Sequence, residues 1–397
     1  MAPDYYVPMS SPDLTAAERE AVAAVLSTPN LSMGGQIDTL EAAFCDYLGC
    51  KYAIGVNSGT AGLHLCVRAA GIQEGDLVIT TPFSFVASAN VLLFERATPV
   101  FVDVDPISGN IDPQLVFQAA RDLAHTGKAA EKWLPRRGAG KNSILKAILP
   151  VDVFGQPADM DAIISIAQPL GLKIIEDSCE ALGAEYKGRK AGRLGEYGVF
   201  GFYPNKQLTT GEGGVIITED EQAAALMRAL RNQGRAPGDT WLQHTHLGYN
   251  YRLDEMSAAL GRVQLSRLDE MMDRRARVAA WYKDRLAHLS DVQSPTVSPS
   301  TTRMSWFVFV VRFEPWINRD QIAKELDHCG IPARPYFAPI HLQPYMVDRF
   351  GYQPGDFPVT EDLGRRSLAL PFSSVMIEAQ VDRVCTTLSE ILKTNYG

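Results

Sequence analysis

Two periodicities alternate along the first half of the chain. Short apolar runs at 52–56, 77–80 and 99–102 read as strands, while 60–70 and 86–94 repeat their apolar positions at helical spacing. Upstream, Thr15-Ala16-Ala17-Glu18 has the form of a capping box opening a helix that runs to Leu26, and a second helical pattern covers Ile37 to Leu48. The alternation resumes with a strand at 146–151, a helix at 159–169 and a strand at 172–176. An apolar run from Gly198 to Asn205 then leads into Lys206, and a strand follows at 214–218. Strand and helix taking turns predict an α/β fold of parallel βαβ units, a mostly parallel central sheet flanked by helices.

The pattern changes after Asp254, where one long helical stretch rich in Arg and Leu reaches about His288. Beyond the Ser/Pro/Thr stretch 294–302, a strand at 306–313 and helices at 319–329 and 378–394 predict a smaller α+β C-terminal lobe. A chain of 397 residues exceeds what one core usually serves. The division expected is a large ligand-binding domain over 1–265, with a surface insertion at about 120–143, and a small domain over 266–397. The insertion is basic (Arg121, Lys128, Lys132, Arg136, Arg137, Lys141), and folded over a site entrance it would assist a nucleotide diphosphate. Its Gly138-Ala139-Gly140-Lys141 is no phosphate loop, because Pro135 stands in place of the first glycine and Asn142 in place of Ser/Thr.

Composition narrows the classes of function. With 46% hydrophobic and 21% charged residues the chain reads as an ordinary globular protein, and a net charge of −8 argues against binding a nucleic acid polymer. Six cysteines without C-x-x-C spacing, no basic-then-apolar leader and no apolar stretch of membrane-spanning length predict a reduced, cytoplasmic protein with no membrane association. His244 and His246 read as loop histidines, since no Asp, Glu or Cys stands at ligand spacing from them, and no metal is expected. Cys179 reads as packing.

Lys206 ends an apolar run and precedes the flexible Thr209-Thr210-Gly211-Glu212-Gly213-Gly214, while Asp177 closes the strand Leu172-Lys173-Ile174-Ile175-Glu176. A lysine and a carboxylate at successive strand ends are what pyridoxal phosphate requires: an amine for a Schiff base and an acid to keep the ring nitrogen protonated. Its other two needs, phosphate donors and an apolar plate, find candidates in Asn57-Ser58-Gly59-Thr60-Ala61, at a strand-to-helix junction, and in Phe85. All four fall at the strand ends where open α/β sheets bind ligands. A nicotinamide dehydrogenase, the other reading of the α/β pattern, lacks G-x-G-x-x-G after the first strand.

Several segments together resemble the DegT/DnrJ/EryC1/StrS family of sugar aminotransferases over nearly the whole chain. They are Asn57-Ser58-Gly59-Thr60-Ala61, residues 99–105, residues 153–160, Glu176-Asp177-Ser178-Cys179-Glu180-Ala181-Leu182-Gly183, Phe202-Tyr203-Pro204-Asn205-Lys206 with Gly211-Glu212-Gly213-Gly214, and Gly248-Tyr249-Asn250-Tyr251-Arg252. The resemblance implies a fold-type-I architecture and pyridoxal 5'-phosphate carried by Lys206. Asp177 would face the pyridine nitrogen, Ser58, Gly59 and Thr60 the phosphate, Phe85 the ring and Glu180 the side of the 3-hydroxyl. Asn250 would reach the phosphate of a partner subunit, making a homodimer with shared sites. Met33, Gly34, Tyr336 and His341 are the implied substrate contacts.

Two departures stand out. Family members often carry a phosphate-binding serine five residues before the lysine, where this chain has Gly201. Many carry glutamine at the position of Glu180, and a carboxylate near a phenolate oxygen is expected to have a raised pKa. Glutamate there weakly favours a 4-keto sugar. The function implied is transfer of an amino group from glutamate or glutamine to a nucleotide-linked 4-keto-6-deoxy or 3-keto sugar. The alternatives are a cofactor-bound regulatory protein without turnover, and a sugar dehydratase. Dehydratase members generally replace the lysine by histidine, whereas Lys206 is intact.

Overall fold

The computed structural model describes residues 6–125, 127–140 and 143–396. Its centre is a seven-stranded sheet of β1 (Tyr52–Val56), β2 (Leu77–Thr80), β3 (Thr98–Phe101), β4 (Leu145–Leu149), β5 (Lys173–Asp177), β6 (Tyr197–Gly201) and β7 (Gly214–Thr218), in the order β1-β7-β6-β5-β4-β2-β3. These strands are buried on both faces, so most of their positions are apolar, and successive side chains serve different cores. Val78 and Val199 pack with Leu63 and Val67, Leu77 and Ile79 with Val116 and Ile163, and Phe200 with Phe44 and Leu268. Strand boundaries lie within a residue or two of those the pattern predicts.

The sheet is mostly parallel, as the pattern predicts, with one strand excepted. β7 runs antiparallel to both β6 and β1. An antiparallel partner needs no crossover helix, so residues 202–213 simply reverse the chain. Lys206 therefore lies in this reversing loop, beyond the end of β6 rather than on a strand.

The first four helices are α1 (Ala16–Leu26), α2 (Gly35–Leu48), α3 (Gly59–Ala69) and α4 (Ala87–Phe94). α1 opens on the capping box, with Thr15 N–H donating to Glu18 Oε2 at 2.7 Å. The long pattern beyond Asp254 is two helices, α5 (Glu255–Ser266) and α6 (Leu268–Leu286), separated at Arg267. Arg267 is held there by Glu18 at 2.6 Å and Asp13 at 2.9 Å.

In the C-terminal part, β8 (Val292–Gln293), β9 (Phe309–Phe313), β10 (Arg334–Pro335) and β11 (Ser367–Leu370) form an antiparallel sheet in the order β8-β9-β11-β10. Its core includes Tyr282, Phe313 and Leu388, together with Val7 from the start of the chain. The predicted strand at 306–313 begins only at Phe309. Trp306 has φ of 52°, and Ser305 and Phe307 N–H donate to Gly155 O and Phe154 O, so residues 305–308 run as irregular backbone against the short helical turn Val153–Gly155.

The first part of the expected insertion belongs to the helix Pro113–Leu123. Trp133 and Leu134 pack on the large-lobe core, and Trp133 Nε1 donates to Asp122 at 3.0 Å. Arg121 and Lys132 pair with Asp122, and Arg136 with Asp356, so three of the basic charges are spent within the protein. Lys141 lies outside the described residues.

Candidate active site

The catalytic candidate sits where three glycines let three backbones meet. α3 starts immediately after β1, with Ser58 as its cap, the hydroxyl accepting from Ala61 N–H at 3.1 Å. A Cβ on Gly59 would lie 2.7 Å from Cys179 Sγ, and one on Gly214 would lie 2.9 Å from Gly59 N. Only glycine permits this approach, and it brings the helix N-terminus down onto β6 and β7. The first amides of α3 have no partners inside the helix and favour an anion. Gly201 completes the floor. Its own Cβ would meet nothing closer than Cys179 at 3.5 Å, so the position holds room that the chain leaves unfilled.

Asp177, at the C-terminal end of β5, is 5% exposed. Ser88 of α4 donates to its Oδ2 at 2.6 Å, and the Cys179 amide donates to Oδ1 at 3.2 Å. Among the described residues no Lys, Arg or His nitrogen lies within 4 Å of it. A buried carboxylate is costly without a cationic or strongly donating partner. A protonated pyridine nitrogen would supply that partner, and in this respect the residues present fit pyridoxal phosphate.

Lys206 Nζ lies 3.6 Å from Glu180 Oε1 and 3.8 Å from the centre of the Phe307 ring. Glu180 Oε2 accepts from the Phe154 amide at 2.9 Å. Burial drives the Glu180 carboxyl above its ordinary range, against the pull of Lys206, as expected for a glutamate at this position. Beneath the lysine lies fully buried Arg275 from α6. It donates to the carbonyls of Lys206 (2.8 Å), Asn205 (3.3 Å), Trp306 (3.1 Å) and Phe307 (3.2 Å). Burial lowers its pKa to about 10. One side chain thus ties the lysine loop to the aromatic that faces the amine. Gln207 adds a second brace, its Nε2 donating to Glu180 O at 2.6 Å.

The other expected residues divide into near and far. Tyr336 is near: its ring centre is 6.4 Å from that of Phe307, and burial followed by the Glu180 charge raises its phenol to about 12. Phe85 is 63% exposed, three residues before Ser88. Asn250 is exposed, and its carbonyl accepts from Asn57 Nδ2 at 3.2 Å. Met33 and Gly34 line a separate cavity of about 340 Å³ with Arg235 and Arg252, and Lys206 is not among its lining residues.

His341 is the correction. Instead of facing a substrate entrance it is fully buried, with Nε2 3.0 Å from Glu361 Oε1 and its ring 4.7 Å from Phe357. The short helical turn Ile340–Leu342, anchored by Ile340 N–H to Pro82 O, turns the imidazole inward, and burial lowers its pKa. Sequence reasoning missed Ser88 and Arg275. Ser88 is a buried serine in the first turn of α4 and Arg275 is one of several arginines on its helix, so neither carries a local signal.

The model of the DegT/DnrJ/EryC1/StrS aminotransferase family matches residues 12–389. The chain is similar to GDP-perosamine synthase of Caulobacter vibrioides, 38% identical over 97% of this chain and 98% of that one. It is also similar to a pleiotropic regulatory protein of Geobacillus stearothermophilus, 35% identical over 93% of this chain and 92% of the other. Among solved structures, DesV of S. venezuelae superposes with a TM-score of 0.84 at 34% identity, covering 97% of this chain and 98% of its own.

Proposed function

We propose, from the premise that this chain belongs to the DegT/DnrJ/EryC1/StrS aminotransferase family and depends on pyridoxal phosphate, that it moves an amino group from glutamate or glutamine to a nucleotide-linked keto sugar. The observation that carries the reading is the Lys206 amine held 3.6 Å from Glu180 in a loop braced by Arg275, at the same sheet edge as a buried Asp177 that has no cation beside it. A GDP-linked 4-keto-6-deoxy sugar is the first substrate to try, because a relative at 38% identity is a GDP-perosamine synthase.

When bound, pyridoxal phosphate supplies an electron sink for the carbon that loses a proton. The chain's own residues do the rest. Lys206 Nζ would hold the cofactor covalently and, once displaced, would move a proton between the substrate's reacting carbon and the cofactor as general base and then acid. Asp177, held in place by donors from Ser88 and Cys179, would pair with the ring nitrogen and keep it protonated. The N-terminus of α3, with Gly59 and Thr60, grips the phosphate. Glu180 presents its raised carboxyl beside the amine, where in neutral form it can donate to an oxygen without repelling it.

The acting unit in this reading is a cytoplasmic homodimer in which exposed Asn250 reaches the partner's cofactor phosphate. A regulatory role without turnover has one point in its favour, the similar pleiotropic regulatory protein. Both readings are tested by incubating the pyridoxal phosphate-loaded protein with glutamate and keto-sugar nucleotides. Formation of 2-oxoglutarate and an aminated nucleotide sugar supports the first, and no half-reaction with any donor supports the second.

A further inference from the structure

One turn into α3, past the proposed phosphate seat, His64 is 3% exposed and fully engaged. Its Nε2 lies 2.8 Å from Glu95 Oε1, and its Nδ1 lies 3.0 Å from the Tyr251 hydroxyl. Glu95 is acceptor-only as a carboxylate, so Nε2 carries the proton and Nδ1 accepts from Tyr251. Glu95, the residue that ends α4, also accepts from the Tyr249 hydroxyl at 3.3 Å, and Arg68 Nη1 donates to that same hydroxyl at 2.6 Å. The Tyr249 and Tyr251 rings stack 4.9 Å apart at 10°.

Backbone bonds register this segment. Gln233 N–H donates to Tyr249 O at 2.8 Å, Tyr251 N–H to Arg231 O at 3.0 Å, and Asn57 N–H to Tyr251 O at 2.9 Å. In extended backbone, alternate side chains take opposite sides. With both tyrosines locked inward by His64, Glu95 and Arg68, Asn250 between them is turned outward, and it is exposed.

We infer that His64 is a positioning residue: through Tyr251 and Glu95 it fixes the direction in which Asn250 leaves the subunit, and so governs cofactor grip in the neighbouring subunit's site rather than in its own. The inference rests on the shared-site dimer proposed above. It gives the residues inside α3 a role distinct from that of its N-terminus, which serves the subunit's own site.

The test separates these two roles by following Lys206. Borohydride fixes pyridoxal phosphate to Lys206, and mass spectrometry measures the labelled fraction against cofactor concentration. His64→Leu homodimers should need about tenfold more cofactor for half-labelling, in line with orphaning buried hydrogen-bond partners. His64→Gln, which keeps a donor and an acceptor, should restore most of the difference. Tagged mixed dimers then decide the direction. A His64→Leu chain paired with a Lys206→Ala chain should label its own Lys206 like wild type, because the neighbouring Asn250 is correctly held. A wild-type chain paired with a His64→Leu, Lys206→Ala chain should show the full tenfold defect.

A defect that travels with the labelled chain's own His64, or none in the homodimer, overturns the inference. Should His64→Leu not fold, Tyr251→Phe removes a single hydroxyl and must give the same trans pattern, at about threefold. Asn250→Ala separates the premise from the inference. No effect of Asn250→Ala removes the shared-site reading and the inference with it. A trans effect of Asn250→Ala without one for His64→Leu or Tyr251→Phe removes the inference alone.

Discussion

Gly201→Ser is expected to tighten the cofactor. A Cβ at this position meets Cys179 Cβ and Sγ at 3.5 Å and Gly59 Cα at 3.8 Å, all ordinary contacts, so the side chain enters without displacing anything. The residue closes β6 beside the N-terminus of α3, and a hydroxyl there gains a phosphate as acceptor. A hydrogen bond to a charged group contributes about 1.5–3 kcal/mol, or roughly 10- to 150-fold in affinity. Ordering the new hydroxyl takes back part of this, leaving about tenfold. Replacing a strand glycine also favours the fold by about 0.5–1 kcal/mol, so the apoprotein should melt no lower than wild type. The assay is a pyridoxal phosphate titration followed by visible absorbance, with Gly201→Ala as the control that adds the Cβ and omits the hydroxyl. Equal affinity for the serine and alanine variants would refute the reasoning. Gly59→Ala should act in the opposite sense, because its Cβ would sit 2.7 Å from Cys179 Sγ.

Three further outcomes follow from the same geometry. Ser88→Ala removes the 2.6 Å donor to Asp177 and should weaken pyridoxal phosphate binding by about tenfold in the same titration, while leaving Lys206 labelling at saturating cofactor complete. Arg275→Met orphans four buried carbonyls around Lys206 and Phe307 and should cost about 3 kcal/mol in denaturant unfolding of the apoprotein, with slower borohydride labelling. Glu180→Gln addresses pH. Because folding raises the Glu180 pKa, its contribution is fully present below the unfolded value and is lost as pH rises through the folded one. The melting temperature of the apo variant, compared with wild type, should therefore be more favourable at pH 8 than at pH 5.

Local signals in the sequence were enough for the helix caps, the strand cores and the positions of Asp177, Gly59 and Lys206, because each sits at a boundary where the periodicity changes. What escaped depends on long-range contacts. Gly214–Thr218 is as apolar as the parallel strands of the sheet, and nothing in its pattern says that it runs the other way. Arg267 breaks a helical pattern without Gly or Pro, through carboxylates supplied by Asp13 and Glu18, some 250 residues earlier in the chain. The apolar neighbours of His341 (Ala338, Pro339, Ile340, Leu342) do not name the later residues that receive its imidazole in the core, Glu361 and Phe357. His64 and its two tyrosines are distant in sequence and adjacent only once Asn57 and Arg231 take up the backbone of Tyr251.

The most direct test of the central claim is a single-turnover experiment on the pyridoxal phosphate-loaded protein. The enzyme is converted with isotopically labelled L-glutamate, freed of donor, and mixed with a panel of GDP-linked and other nucleotide-linked keto sugars, with mass spectrometry of the products. Labelled nitrogen on a nucleotide sugar, abolished by Lys206→Ala, is the predicted result. Complete labelling of Lys206 by cofactor and borohydride, with no 2-oxoglutarate released and no nitrogen transferred to any acceptor, would contradict it.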